Sequence, residues 1–297
     1  DSPFDTSNAD YMHYIFNGCK ELKSIDISNF NTSKVTRFDG MFQGCVLLTS
    51  IDLSNINTTM GNNFQNMFYK CSILTSLDLS KFNTSNAKDF NYMFKDCANI
   101  KILDLTTFDT SGVTDFGDIF SGLKSMTSID ISSFDTRKGT KMNKMFKGCS
   151  KLPYIDVSSL DTSIAEKLES FFEGCSSLTS IDIRHFRTPK CKSMYAMFYK
   201  CQKLTSLDIT SFDTSLVTDM SQMFAECYVL TSLDLSHFNT LNVRNFSRMF
   251  ENAISLTSLE LQSFSTSNSL LNISRMFHNC SKLEYLNIPN LKTPEES

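Results

Sequence analysis

Tryptophan is absent from these 297 residues, proline occurs 5 times, glycine 10 times and histidine 4 times. The scarcity of glycine and proline excludes collagen-like and low-complexity chains. No apolar run approaches the ~18–20 residues that span a bilayer as a helix, so no membrane span is expected. Charge of neither sign dominates: 28 Lys and Arg stand against 32 Asp and Glu, a net −4 that gives no electrostatic footprint for nucleic acid. No CxxC pair, HExxH, GxSxG, P-loop or dinucleotide fingerprint is present. His185 and His237 share a repeat position but lie two repeats apart, too far to grip one metal between them. No enzyme, metal or cofactor is expected. No secretory leader is visible at Asp1, so the chain is expected to be either mature and processed or cytosolic.

What the chain has instead is phenylalanine, 26 copies, and a period. Phe16, Phe42, Phe68, Phe94, Phe120, Phe146, Phe172, Phe198, Phe224, Phe250 and Phe277 are spaced by 26 residues nine times and then by 27, the extra residue falling between Thr266 and Leu271. A fixed period of this length marks a solenoid, whose units bury their apolar faces only by stacking. Residues 1–297 are therefore expected to form a single α/β solenoid of about eleven units.

One unit shows the expected build. Leu207–Asp208–Ile209 alternates like a strand, with two apolar residues inward and Asp208 outward. The segment "SFDTSLV" is a turn-rich connector. Met220, Met223, Phe224 and Cys227 are spaced i, i+3, i+4, i+7, which predicts a short helix with Thr218 or Asp219 as its N-cap. Gly18, Gly44, Gly122, Gly148 and Gly174, two residues after the Phe, are expected to end that helix in the left-handed conformation.

Each repeated column has its own chemistry. Stacked Phe rings make a packing spine. Thr6, Thr32, Thr58, Thr84, Thr110, Thr136, Thr162, Thr188, Thr214, Thr240, Thr266 and Thr293 place a hydroxyl where it can satisfy turn backbone or the next coil. Nine of the ten cysteines share one column, in which Leu123 and Ala253 fill the vacancies. Leucine and alanine there mark the site as apolar, so the cysteines read as buried thiols, with disulfides between coils or a metal as alternatives.

The acidic column is the candidate binding surface: Asp26, Asp52, Asp78, Asp104, Asp130, Asp156, Asp182, Asp208, Asp234 and Glu260, with Asn287 ending the row. In-register strands would set neighbouring carboxylates ~4.8 Å apart. Hydrogen bonds from flanking serines across coils are one way to relieve the repulsion. A cationic partner or divalent ions are the other, although a flat row supplies the 6–8 oxygens of a calcium site poorly. Candidate glycosylation sequons stand at Asn31, Asn57, Asn83, Asn245 and Asn272. The stretch "RHFRTPKCK" from Arg184 to Lys192 is the most cationic departure from the repeat.

The unit "LTSLDLSKFNTSNAKDFNYMFKDC", Leu74 to Cys97, resembles the 26-residue repeat of the BspA-like family, relatives of the leucine-rich repeats found in bacterial and protist surface proteins. The match runs through "LxxLDLSxFxTSxVxxMxxMFxxC" over essentially the whole chain, with Phe for Met at Phe38, Phe64, Phe90, Phe116 and Phe246. The resemblance implies a leucine-rich-repeat-like solenoid at the cell surface or outside the cell, with a role in adhesion or host interaction. Two functions follow as expectations. One is an interaction module whose strand face binds a protein or glycan partner. The other is a homo-polymer, because Phe4 and Leu291 fall in the same column and both ends keep the apolar pattern through to the tail Pro294–Ser297.

Overall fold

A computed structural model describes residues 4–265 and 271–291. Thr266, Thr293, the extra residue near Thr266 and the tail from Pro294 lie outside the described residues. The chain winds into stacked coils, one per repeat, around a continuous hydrophobic core that runs from Met12 to Met276.

The expected aromatic spine is present. Phe16 stacks on Phe42 with ring centroids 5.5 Å apart, Phe120 on Phe146 at 5.6 Å, and Phe250 on Phe277 at 5.7 Å. Near-parallel rings join the intervening members as well. The inner rings are fully buried, and burying a side chain of this size contributes about 1.5–3 kcal/mol.

Among the described residues the expected helix is not formed. From Phe38 to Leu48 the backbone is a run of four-residue turns in which Met41 N–H donates to Phe38 C=O, Gln43 to Gly40, Cys45 to Phe42 and Leu48 to Cys45. The alternate N–H groups leave the coil: Phe38 donates to Asn63 C=O, Gly40 to Gln65, Phe42 to Met67 and Gly44 to Tyr69. Every second donor is thus committed to the next coil, and the i→i−4 ladder of a helix cannot form. The third residue of alternate turns has positive φ, as type II turns require: Gly40 and Gly44 in this coil, Gln222 and Glu226 in a later one. The glycines after the Phe do take the left-handed conformation, with φ of 73–77°, but they sit inside a turn ribbon rather than at a helix end. Asp219 does cap its segment, its Oδ1 accepting from Ser221 N–H at 2.8 Å. The apolar spacing misled because Met220, Met223, Phe224 and Cys227 all point inward from consecutive turns, as they would from a helix.

Among the described residues the expected strand is paired as a strand only in the last two coils. There β1 (Ser258–Glu260) and β2 (Tyr285–Asn287) run parallel with Leu259 opposite Leu286. Elsewhere the equivalent segment keeps the apolar-in, Asp-out alternation, and neighbouring coils share single bonds such as Thr49 N–H to Lys23 C=O. A second seam of isolated parallel bridges runs through Tyr11, Arg37, Asn63, Asp89, Asp115, Lys141 and Lys167, and through Ser193, Asp219, Asn245 and Asn272.

The threonine column explains itself in three dimensions. Thr136 Oγ1 donates to Asp161 C=O at 2.9 Å and accepts Asp161 N–H at 2.8 Å, and the same pair of bonds recurs from Thr6 to Thr240 except at Thr188, which makes the donated bond to Asp213 C=O. One buried hydroxyl satisfies both backbone groups of a residue in the following coil, a role no apolar residue can take.

Candidate functional site

The acidic column is exposed from Asp26 to Glu260, as the alternation demands. Its hydrogen bonds differ from the expected bridges between coils. Each aspartate turns back on its own coil, Oδ1 accepting the N–H two residues on: Asp52 from Ser54 at 2.9 Å, Asp130 from Ser132 at 2.9 Å, Asp208 from Thr210 at 3.1 Å. Asp26, Asp78, Asp104, Asp156, Asp182 and Asp234 do the same. These are Asx turns, which fix the corner after the strand segment. The donors hold the carboxyls below the usual range: the Ser132 side chain leads at Asp130, and the Thr210 side chain at Asp208. At Asp182 the Arg184 guanidinium leads, and the carboxyl falls to about 2. Glu260 instead accepts from Gln262 and Asn287, both at 3.0 Å.

One carboxyl oxygen per coil is therefore committed to the turn. At Asp182 the second oxygen meets Arg184 at 2.7 Å. At Asp208 and Asp234 no second-oxygen partner is present among the described residues. The row presents outward-facing acceptors rather than a cage, and a metal is not called for by its geometry.

Around this part of the row the strand face opens into a groove of about 630 Å³, lined by Tyr154, Asp182, Arg184, Asp208, Thr210 and Asp234 with Ser180, Ser206 and Ser232. Tyr154 occupies a column that is serine in most coils and stands 58% exposed. Ile102, in the same column two coils earlier, is 62% exposed beside a smaller hollow that includes Asp104 and Asp130. Sequence reasoning found the acidic row but missed these two. The signal was available: both interrupt a serine column on the outward face.

The remaining candidates divide cleanly. Asn31, Asn57 and Asn83 are exposed, and the Oδ1 of each accepts from the N–H two residues on. Asn245 and Asn272 lie on the bridge seam and accept from Ser247 and Ser274 in the same manner. His185 and His237 each use Nε2 on a carbonyl of the preceding coil, Val157 at 3.0 Å and Ile209 at 2.9 Å, a structural duty that Ser133 and Ser159 perform in the same column. The cationic stretch from Arg184 is drawn into local contacts, with Lys192 on Glu166 at 3.1 Å.

All ten cysteines are free thiols. The column members donate S–H to the Phe carbonyl of the previous coil, Cys71 to Phe42 and Cys149 to Phe120, both at 3.2 Å. Burial pushes the Cys149 and Cys227 thiols up to about 12.

Three overlapping segments, 2–103, 88–206 and 166–290, match the family model described as Mycoplasma protein of unknown function, DUF285. The chain belongs to the DUF285 family. With the match spread over nearly every coil, the expected kinship with BspA-like repeats is borne out for this DUF285 member. No curated protein matches it. Among solved structures it is similar to a leucine-rich repeat protein from Bacteroides ovatus (18% identity, 95% of this chain and 76% of that one, TM-score 0.46). It is also similar to one from Eubacterium ventriosum (15%, 88% and 78%, TM-score 0.40) and to a leucine rich cell surface protein from Faecalibacterium prausnitzii (15%, 86% and 77%, TM-score 0.34). Among the described residues no helix is long and apolar enough to cross a membrane.

Proposed function

We propose that this DUF285 chain is a non-enzymatic interaction module, one solenoid acting outside the cell or at its surface, which holds a protein or glycan partner on its strand face. The observation that carries this reading is the groove at Tyr154. There the outward row loses its uniformity: an exposed aromatic ring, one guanidinium–carboxylate pair and two aspartates with an uncommitted oxygen converge on one hollow. An aromatic platform flanked by a few polar anchors is how binding surfaces concentrate affinity. The acidic balance favours a partner that brings cations or hydroxyl groups.

The test is binding of the purified chain to intact cells and to immobilised extracellular-matrix proteins and glycans. The triple variant Tyr154→Ala, Asp208→Asn, Asp234→Asn is expected to lose binding by tenfold or more with an unchanged circular dichroism spectrum. Equal binding by the variant and the native chain removes the groove from the function.

We infer, second, that the coil stack can extend by head-to-tail contact. Among the described residues the carbonyls of Tyr11, His13, Ile15 and Asn17 accept no backbone bond, and the N–H groups of Ile273, Arg275, Phe277 and Asn279 donate none. These are the columns whose members pair between every inner coil, so the two edges are complementary in donor and acceptor. Sedimentation velocity over a concentration series tests it: concentration-dependent rods support the inference, and a strict monomer at every concentration removes it.

A further inference from the structure

On the turn ribbon, away from the strand face, Gly122 and Gly148 occupy a column that elsewhere holds Lys70, Asp96, Lys200 and Glu226. Gly174 continues the run in the next coil, and the missing side chains at Gly122 and Gly148 leave a trough. A Cβ on Gly148 would meet nothing nearer than the Gly122 backbone at 3.6 Å, whereas one on Gly122 would strike the Asp96 carboxylate. The result is a hollow of about 250 Å³ rimmed by Lys95, Lys124, Lys144 and Lys147, with Asp96 and Asp118 in its wall. In a chain of net charge −4, its lining carries two more cations than anions.

The partners of these groups are unequally filled. Lys95 is spent on Asp118 at 2.7 Å and Lys147 on Glu173 at 2.9 Å. Lys124 and Lys144 have no carboxylate within ion-pair reach among the described residues. Asp118 is fully buried, and while its Oδ1 takes Lys95, its Oδ2 has no hydrogen-bond partner at all. A buried carboxylate oxygen left without a donor is costly and uncommon, so each such atom asks for an explanation. Among the described residues, two unneutralised ammonium groups outnumber the one unpaired carboxylate, Asp96, and with the unserved Asp118 oxygen they call for a ligand with negative charge and a hydrogen-bond donor beside it.

We propose that this hollow binds an oxyanion, a sulfate or phosphate group, through Lys124 and Lys144, with a neighbouring hydroxyl of the ligand serving Asp118. A sulfated or phosphorylated saccharide supplies both parts, and a free inorganic anion supplies the first. The site is independent of the strand-face groove, and its failure would leave that groove untouched.

Isothermal titration of the full chain tests it with four probes: a sulfated oligosaccharide, its desulfated counterpart, inorganic sulfate and inorganic phosphate. Binding of the sulfated oligosaccharide without its desulfated counterpart is expected. The double variant Lys124→Gln, Lys144→Gln should weaken that binding by about tenfold or more. Both side chains lie at the surface of the ribbon, so the fold survives their replacement. A control pair on distant coils, Lys203→Gln with Lys282→Gln, should bind as the native chain does. If the inorganic anions bind as tightly as the oligosaccharide and the double variant loses them, the source is a free anion and the site stands. The proposal is overturned if no probe binds, if the double variant binds as well as the native chain, or if the control pair loses as much affinity as the double variant.

Discussion

At the scale of single residues, the buried thiols tie stability to pH. Desolvation lifts Cys149, Cys191 and Cys227 to about 12, while an exposed thiol titrates near 9. The folded pKa is raised, so the contribution is complete below pH 9 and is lost as pH climbs toward the folded value. Between those limits the unfolded chain has released the proton and the folded chain has not. Each such thiol should lower the unfolding free energy by about 1.4 kcal/mol per pH unit. Denaturant titrations at pH 7, 9 and 10 are expected to show a flat region and then a steep fall; equal stability at pH 8 and pH 10 would contradict the burial. In the same conditions a thiol reagent should modify Cys19 first, because it alone of the ten is exposed, and the buried column only on unfolding.

At the scale of the element, the turn ribbon explains what the sequence showed and what it hid. The left-handed glycines were legible because glycine recurring in one column, at Gly18, Gly44, Gly122, Gly148 and Gly174, has few other meanings. The ribbon itself was not, because inward residues at i, i+3, i+4 and i+7 satisfy a helix and a chain of turns alike. What separates them is a carbonyl that lies 25 residues away in sequence and in contact in space, which no local pattern encodes. The Asx turns were hidden for the same reason: Asp before Ser or Thr reads equally as a bridge between coils or a corner within one. The ribbon also sets a direction for substitutions. Gln222 holds φ at 57° without glycine, so Gln222→Gly should raise stability by about 0.5–1 kcal/mol through relief of left-handed strain. Gly148→Ala, with φ at 73°, should lower it by about 1 kcal/mol or more. Thermal melts of the two variants check the opposite signs.

At the scale of the molecule, every coil is half of its neighbour's core. Phe146 touches Phe120, Phe171 and Phe172, and its removal opens a void shared by adjacent coils. Phe146→Ala is expected to cost about 3–5 kcal/mol, whereas Phe16→Ala, at a ring already partly exposed, should cost clearly less. Equilibrium unfolding of both variants measures the difference; equal losses would mean that the coils do not depend on one another. The repeat period made this interdependence readable in advance, as it did the aromatic spine. The break in the serine column at Tyr154 was readable, but the groove beside it and the lysine hollow were not, because each cavity depends on how side chains of several coils are arranged around it.

The direction of the ribbon's bonds has an electrical consequence. In the coil of Phe38, four peptide N–H groups point forward to the next coil and three, of Thr36, Thr49 and Asn57, point back. Peptide dipoles that fail to cancel add along an axis, as they do in a helix. Each turn of the stack lengthens that sum, which makes the molecule a bar with a negative pole at the Tyr11 edge and a positive pole at the Phe277 edge. An applied field should align it lengthwise in solution.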